Sequence, residues 1–304
     1  MSNFLGSVQK TALILFKIRQ ISLKLFQKLQ KYDMMQLNFE RYKTLIMQIG
    51  ICHLCGKEKE LTFEHIPPKG ANNKTRAKLI TGNEIFDLEK LKNNKSLRYI
   101  NQQQGSGGYT LCDECNNNTG AWYAKDYIEF ANVIGYYLNN ETNLDKAEQV
   151  SFYIEGLHGQ RIFKQILSMF LSTIQPEVVE RMQDIQEFVL DKDSMNFNKE
   201  KYRIGMFLLK NYEVSHSGMM TLFEVNQGKL IARNLAVMNL YPLGFTLELN
   251  PATEFDKKLV DITKFADIDY NYNKKISIIA NILDKEYSMH SLFEKIRKEN
   301  QNGK

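Results

Sequence analysis

The chain has 304 residues, 43% of them hydrophobic, with a formal net charge of +5 and a pI of about 8.8. That much apolar content builds one large core or two ordinary ones and excludes a disordered or fibrous protein, while the mild basic excess permits a nucleic-acid partner without requiring one. No stretch reaches the roughly 18 consecutive apolar residues of a membrane span, since Lys17, Arg19 and Lys24 interrupt the best one.

Residues 1–46 read as a basic helical arm. Residues 1–32 have no acidic side chain, and Lys10, Lys17, Arg19, Lys24, Lys28 and Lys31 alternate with Leu13, Phe16, Ile21, Leu25 and Phe26 at roughly helical spacing. Such an amphipathic helix docks on the rest of the fold, grips phosphates or lies on a membrane surface. Met47, just before the next motif, offers an alternative start that would make the arm an over-extended reading frame. From Gly50 the texture changes to short β-prone pieces, Ile51-Cys52 and Leu61-Thr62-Phe63, separated by a turn at Gly56-Lys57 and closed by Pro67-Pro68. Residues 70–108 are polar and read as an insertion or long functional loop, with Ile85, Phe86, Leu88 and Leu91 as helix-like apolar positions. Gly105 to Gly108 form a hinge before Tyr109-Thr110-Leu111. Asn116 onward is expected to be helical, with Trp122 and Tyr123 as core residues, so the order is strand, strand, helix.

Beyond about residue 140 the pattern is α+β. A strand is expected over Val150–Leu157, helices over Arg161–Ile174 and over Pro176–Leu190 with proline at the helix start, then β-prone runs at Tyr202–Leu209, Met219–Val225, Lys229–Val237 and Leu243–Leu249. Helical periodicity returns at Ile276–Leu283 and Leu292–Ile296. His158, His216 and His290 lack partners at metal spacing and are expected to have surface or structural roles. The expected organisation is therefore the arm 1–46, a module 47–140 containing the insertion 70–108, and a larger α+β domain 141–304.

All four cysteines lie in the module as two Cys-x-x-Cys pairs, Cys52/Cys55 and Cys112/Cys115. Thiolates at this spacing hold Zn²⁺ tetrahedrally from tight turns, and four sulfurs leave no open position, so the metal is expected to be structural. His53 then has no place in the shell and reads as a solvated knuckle residue. Paired cysteines and no secretory signal pattern fit a reducing compartment, and a cytoplasmic location is expected.

Cys-x-x-Cys, then Glu64-His65-Ile66-Pro67-Pro68-Lys69, then Leu111-Cys112-Asp113-Glu114-Cys115-Asn116 with Thr119-Gly120 resembles the HNH endonucleases of the ββα-metal class, in the branch braced by a four-cysteine zinc. The resemblance covers about residues 50–125. It implies a zinc-braced ββα-metal module with His65 as the general base, Glu64 and Asn116 as ligands of a catalytic Mg²⁺ or Mn²⁺, and phosphodiester hydrolysis in nucleic acid, DNA before RNA. Bacterial proteins with such modules serve in restriction or defence against foreign DNA, with the C-terminal domain free to supply specificity, a regulatory partner or a homo-oligomer contact. The chain departs from the pattern in carrying Glu for the usual Asp and Thr119 for a common lysine. The family's middle Asn falls on Gly107, so its role passes to a backbone group or to a neighbour such as Gln104. Asn117 and Asn118 are fallback ligands for Asn116. A regular strand sends Glu64 and His65 to opposite faces, so their joint use requires a twisted strand end. The rival reading is a non-catalytic zinc module that binds nucleic acid or protein.

Overall fold

The computed structural model describes residues 48–80, 84, 98–140, 148–212, 214–226, 229–251 and 254–283. The chain divides into Met1–Ile49 and Gly50–Lys304. The basic arm, the apolar positions Ile85–Leu91, the segment Leu292–Ile296 and His290 lie outside the described residues.

The zinc-motif region opens with β1 (Ile49–Ile51) and β2 (Glu58–His65) and, after a small hairpin of β3 (Ala77–Leu79) and β4 (Ile100–Gln102), continues as β5 (Gly107–Cys112). β1, β2 and β5 form one sheet in that order. β2 and β5 are antiparallel, pairing Leu61 with Cys112, Thr62 with Leu111, Phe63 with Tyr109, Glu64 with Gly108 and His65 with Gly107; Thr110 is the extra residue of a bulge. β5 runs straight into α1 (Asp113–Thr119), whose N-cap residue is Cys112 in extended conformation and whose first turn carries Asp113 and Glu114, the charge sign that suits a helix N-terminus. One wide turn, Gly120–Ala124, joins it to α2 (Lys125–Asn140). Tyr127, Phe130, Ala131 and Ile134 recur at i, i+3, i+4 and i+7 and are buried, so helical amphipathicity decides which face of α2 turns inward.

The described residues that follow pack around one helix. After β6 (Gln149–Leu157) comes α3 (Gly159–Thr173), which is buried on almost every side. Its polar residues therefore need internal partners; Lys164 Nζ, for example, donates to the carbonyls of Asp191, Lys192 and Ser194 at 2.7, 3.0 and 2.9 Å. α4 (Pro176–Val179) and α5 (Gln183–Leu190) follow, then β7 (Tyr202–Leu208), β8 (Val214–His216), β9 (Met220–Asn226), β10 (Lys229–Leu240), β11 (Leu243–Leu249), β12 (Val260–Asp261) and β13 (Lys274–Asn281). A large sheet has the order β12-β7-β11-β10-β8 with β9 also on β10, and β13 pairs with β6.

Three expectations are corrected. Ile276–Leu283 is not a helix: Ile276, Ile278 and Ala280 are buried while Ile279 is exposed, a period of two that β6 completes by antiparallel pairing. Pro176–Leu190 is two helices, broken at Glu180–Met182, with Pro176 at the expected start. The module 47–140 and the half 141–304 do not have separate cores, because one buried cluster runs from Cys52 and Cys112 through Tyr123, Ile166 and Phe245 to Ala280. The physical reason is α3: its C-terminal turn packs directly on the first cysteine knuckle, and a helix buried all round needs walls from both halves.

Candidate functional site

Backbone bonds from Cys52 N to the Lys57 carbonyl (2.9 Å) and from Gly56 N to the Cys52 carbonyl (2.8 Å) close the first knuckle. The second pair spans the start of α1, so its two sulfurs emerge one helical turn apart. The four Sγ atoms lie within 4.8 Å of one another, and the Cys112 amide donates to Cys52 Sγ at 3.3 Å. A tetrahedral ion with Zn–S bonds of about 2.3 Å needs sulfurs roughly 3.8 Å apart, and the four free cysteines fit such an ion with small adjustments. The hydrogen bond from Cys115 holds the Cys52 thiol down at about 4, and the same contact pushes Cys115 up.

His53 corrects one expectation: it is not solvated. It is buried, its Nδ1 lies 2.8 Å from the carbonyl of Leu171 on α3, and its own carbonyl accepts from Gln186 Nε2 at 2.7 Å. The knuckle is thus a packing surface, screened from water by α3 and α5.

His65 ends β2, half-buried. Its ring meets the edge of Phe63 at 5.1 Å between centroids, and Phe63 in turn meets Tyr109 at 5.4 Å. The imidazole donates to the backbone carbonyl of Gln104, while burial, against that bond, pushes its pKa below the ordinary value, with Lys69 acting in the same direction as burial. A neutral ring at pH 7 follows, with one nitrogen oriented by a carbonyl and the other, Nε2, buried with no partner. Gly107 sits opposite, where a Cβ would stand 2.0 Å from the Glu64 carbonyl and 2.9 Å from the Phe63 ring; no side chain, asparagine included, fits there.

The loop around His65 is braced instead by Asn73, which is 2% exposed. Its Nδ2 donates to the carbonyls of Pro67 and Ser106, both at 2.7 Å, and its Oδ1 accepts from the Ser106 amide at 2.8 Å. Sequence reasoning missed this residue within a polar insertion. An asparagine shortly after Pro-Pro was the available signal, but its partner at Ser106 lies far along the chain.

Glu64 and His65 are not brought together. The register through Glu64 and His65 is regular, so their side chains leave opposite faces of β2. Glu64 is 5% exposed and accepts a hydrogen bond from Ser172 Oγ of α3 at 2.7 Å. Burial, partly offset by that bond, pushes its pKa up to about 8, so the carboxyl is neutral at pH 7. Asn116 is within α1 rather than at its cap. Its Nδ2 donates to Thr62 Oγ1 at 3.0 Å and, more weakly, to the Phe63 carbonyl at 3.4 Å, tying the helix to β2 opposite the β5 bulge, two residues before His65. Asn117 is exposed and Asn118 half-buried on the same helix.

A hard divalent ion takes several oxygen ligands. With Glu64 neutral on the far face, the trio Glu64, His65 and Asn116 as folded does not fit such an ion, in contrast to the cysteines and zinc. The other described histidines are structural: His158 Nδ1 lies 2.8 Å from Asp126 Oδ1, and burial pushes His216 down. Tyr123 is fully buried and donates to the Val189 carbonyl at 2.7 Å. Among the described residues no helix is long and apolar enough to cross a membrane.

The fold and site define an α+β chain with a four-cysteine cluster of zinc-binding geometry. Compared with family profiles, curated proteins and solved structures, it matches none.

Proposed function

We propose that the chain is an HNH-type endonuclease that hydrolyses phosphodiester bonds in nucleic acid, DNA before RNA, in which a structural zinc on Cys52, Cys55, Cys112 and Cys115 ties the knuckle to α1 and His65 acts as the general base. The observation that carries this is His65 itself. A neutral imidazole stands at a strand end, one nitrogen engaged by the Gln104 carbonyl and the other without a partner, on a loop clamped by Asn73. Orienting one ring nitrogen so that the other takes a proton is how an imidazole serves as a base. Nε2 would accept a proton from water as the water oxygen bonds to phosphorus and the P–O bond to the leaving sugar oxygen breaks. Nε2 is covered in this conformation, so docking of the substrate has to open a path to it. Asn116 acts as a positioning residue by holding β2 at Thr62 and Phe63, just before His65.

The second reading, a non-catalytic zinc module that binds nucleic acid or protein, is favoured by one observation: the carboxylate expected to hold an ion is buried and neutral. Cleavage of plasmid, linear and single-stranded substrates with and without added Mg²⁺ or Mn²⁺ separates the two. On the nuclease reading His65→Ala keeps zinc and fold and loses about 10²- to 10⁴-fold in cleavage rate. If the wild-type protein leaves every DNA and RNA substrate intact with each ion, the binding-module reading replaces it.

A further inference from the structure

The loop that leaves His65 has a second side. Between Ala71 and Lys74 successive residues alternate: Ala71 and Asn73 are buried in the clamp, while Asn72 and Lys74 face outward. The outward side forms one wall of a cleft of about 410 Å³, whose other walls are the outer face of α2 and two tyrosines from the connections that follow β7 and β10. That volume lies in the range of about 300–1,000 Å³ typical of small-ligand sites.

The lining is chemically selective. Tyr136 is 74% exposed and Tyr212 56% exposed; Tyr212 stands against Tyr241 at 5.7 Å between ring centroids. The amides of Asn72, Asn132 and Asn139 also line the cleft, and Lys74 is the ionisable group among the lining residues other than the tyrosines. Among the described residues that line the cleft there is no carboxylate to repel an anion. The walls are cross-tied without filling the space: Tyr212 donates to the Asn72 carbonyl at 3.1 Å, Asn132 Nδ2 to the Gly70 carbonyl at 3.3 Å, and Tyr241 to Asn139 Oδ1 at 2.8 Å.

We infer that this cleft binds one unpaired nucleotide, a base from a single strand or one extruded from a duplex, with its phosphate at Lys74. Exposed tyrosine rings stack on any nucleobase, asparagine amides offer a donor and an acceptor to base edges, and a lysine supplies the point charge that phosphate attracts. Because Asn73 fixes the same loop to Pro67 and Ser106, a nucleotide held here is held in fixed relation to His65. The cleft then selects substrates with an unpaired nucleotide at a fixed spacing from the bond that is cut. Its role in cleavage rests on the nuclease reading; its binding chemistry does not.

The test uses the full zinc-loaded chain without divalent ions, titrated with a short labelled single-stranded oligonucleotide and separately with AMP and with N-acetylglucosamine. Tyr136→Ala and Tyr212→Ala should each lower oligonucleotide affinity by roughly five- to a hundredfold, and Lys74→Ala should flatten its salt dependence. Tyr153→Ala, an exposed aromatic on β6 outside the cleft, should leave binding unchanged, with zinc content equal in all variants. Wild-type affinity in both cleft variants overturns the inference, and if the wild-type chain still cuts DNA the nuclease reading stands. Binding of the sugar in place of the nucleotides also overturns it. Oligonucleotide binding that the cleft variants abolish, in a chain that cuts nothing, upholds the inference and removes the nuclease reading.

Discussion

Glu64→Gln tests how the site is organised. The substitution keeps the shape of the side chain and an acceptor for Ser172 Oγ, now 2.7 Å from the carboxyl, and removes only the capacity to ionise. In the folded chain the carboxyl holds its proton up to about 8, against an ordinary value of 4.5. The folded state therefore binds one more proton than the unfolded state across that interval, and stability falls as pH rises through it. The stability is fully present below about 4.5 and the loss levels off above about 8. At roughly 1.4 kcal/mol for each pH unit, the full loss is on the order of 3–5 kcal/mol. The amide has nothing to ionise, so the variant should lie within about 1 kcal/mol of the wild type near pH 5 and become the more stable of the two by a few kcal/mol at pH 8.5. Urea unfolding at pH 5, 7 and 8.5 measures it, with zinc held constant. A variant less stable than the wild type at alkaline pH, or a stability difference that does not change with pH, would show Glu64 ionised in the folded chain and refute the burial argument. Retained cleavage by the variant would also show that no ion depends on this carboxylate.

Further outcomes follow from other contacts. Purified protein should carry about one zinc per chain, and Cys112→Ser should abolish tight binding and unfold the knuckle, since structural zinc supplies roughly 10 kcal/mol or more of folding free energy; metal analysis and a melting curve check both. Asn73→Ala removes three hydrogen bonds, one buried and two part-buried, and should cost about 2–4 kcal/mol. Amide exchange at Ser106 should rise with it, and an unchanged exchange rate would refute the clamp. Lys164→Met leaves three carbonyls at the end of α5 without their donor and should destabilise by about 2–4 kcal/mol, whereas Lys164→Arg should recover part of it; equal unfolding midpoints for the methionine variant and the wild type would argue against the lysine as the cap of that turn.

Local pattern alone was enough for some of this. Two Cys-x-x-Cys pairs, each beside turn-forming residues, announce a metal cluster because two residues of spacing determine where sulfurs can reach. In the second half β6, β7, β9, β10 and β11 were legible as β-prone runs, and α2 and α3 as helical stretches. The sequence also contained the warning that Glu64 and His65 would diverge, because a pleated strand admits no other default. What it left open depended on elements distant along the chain. Ile276–Leu283 has enough apolar residues for either period, and only the presence of β6 as a partner made it a strand. The burial of Glu64 and His53 is decided by α3, more than a hundred residues away, whose Ser172 and Leu171 meet them. The clamp by Asn73 required Ser106 to arrive across the insertion, and the cleft beside it required Tyr212 and Tyr241 to meet α2. Spacing in sequence fixes a turn or a face, but which groups share a dry interior is decided when the helices and sheets pack together, and that packing sets the protonation of Glu64 and the partners of His65.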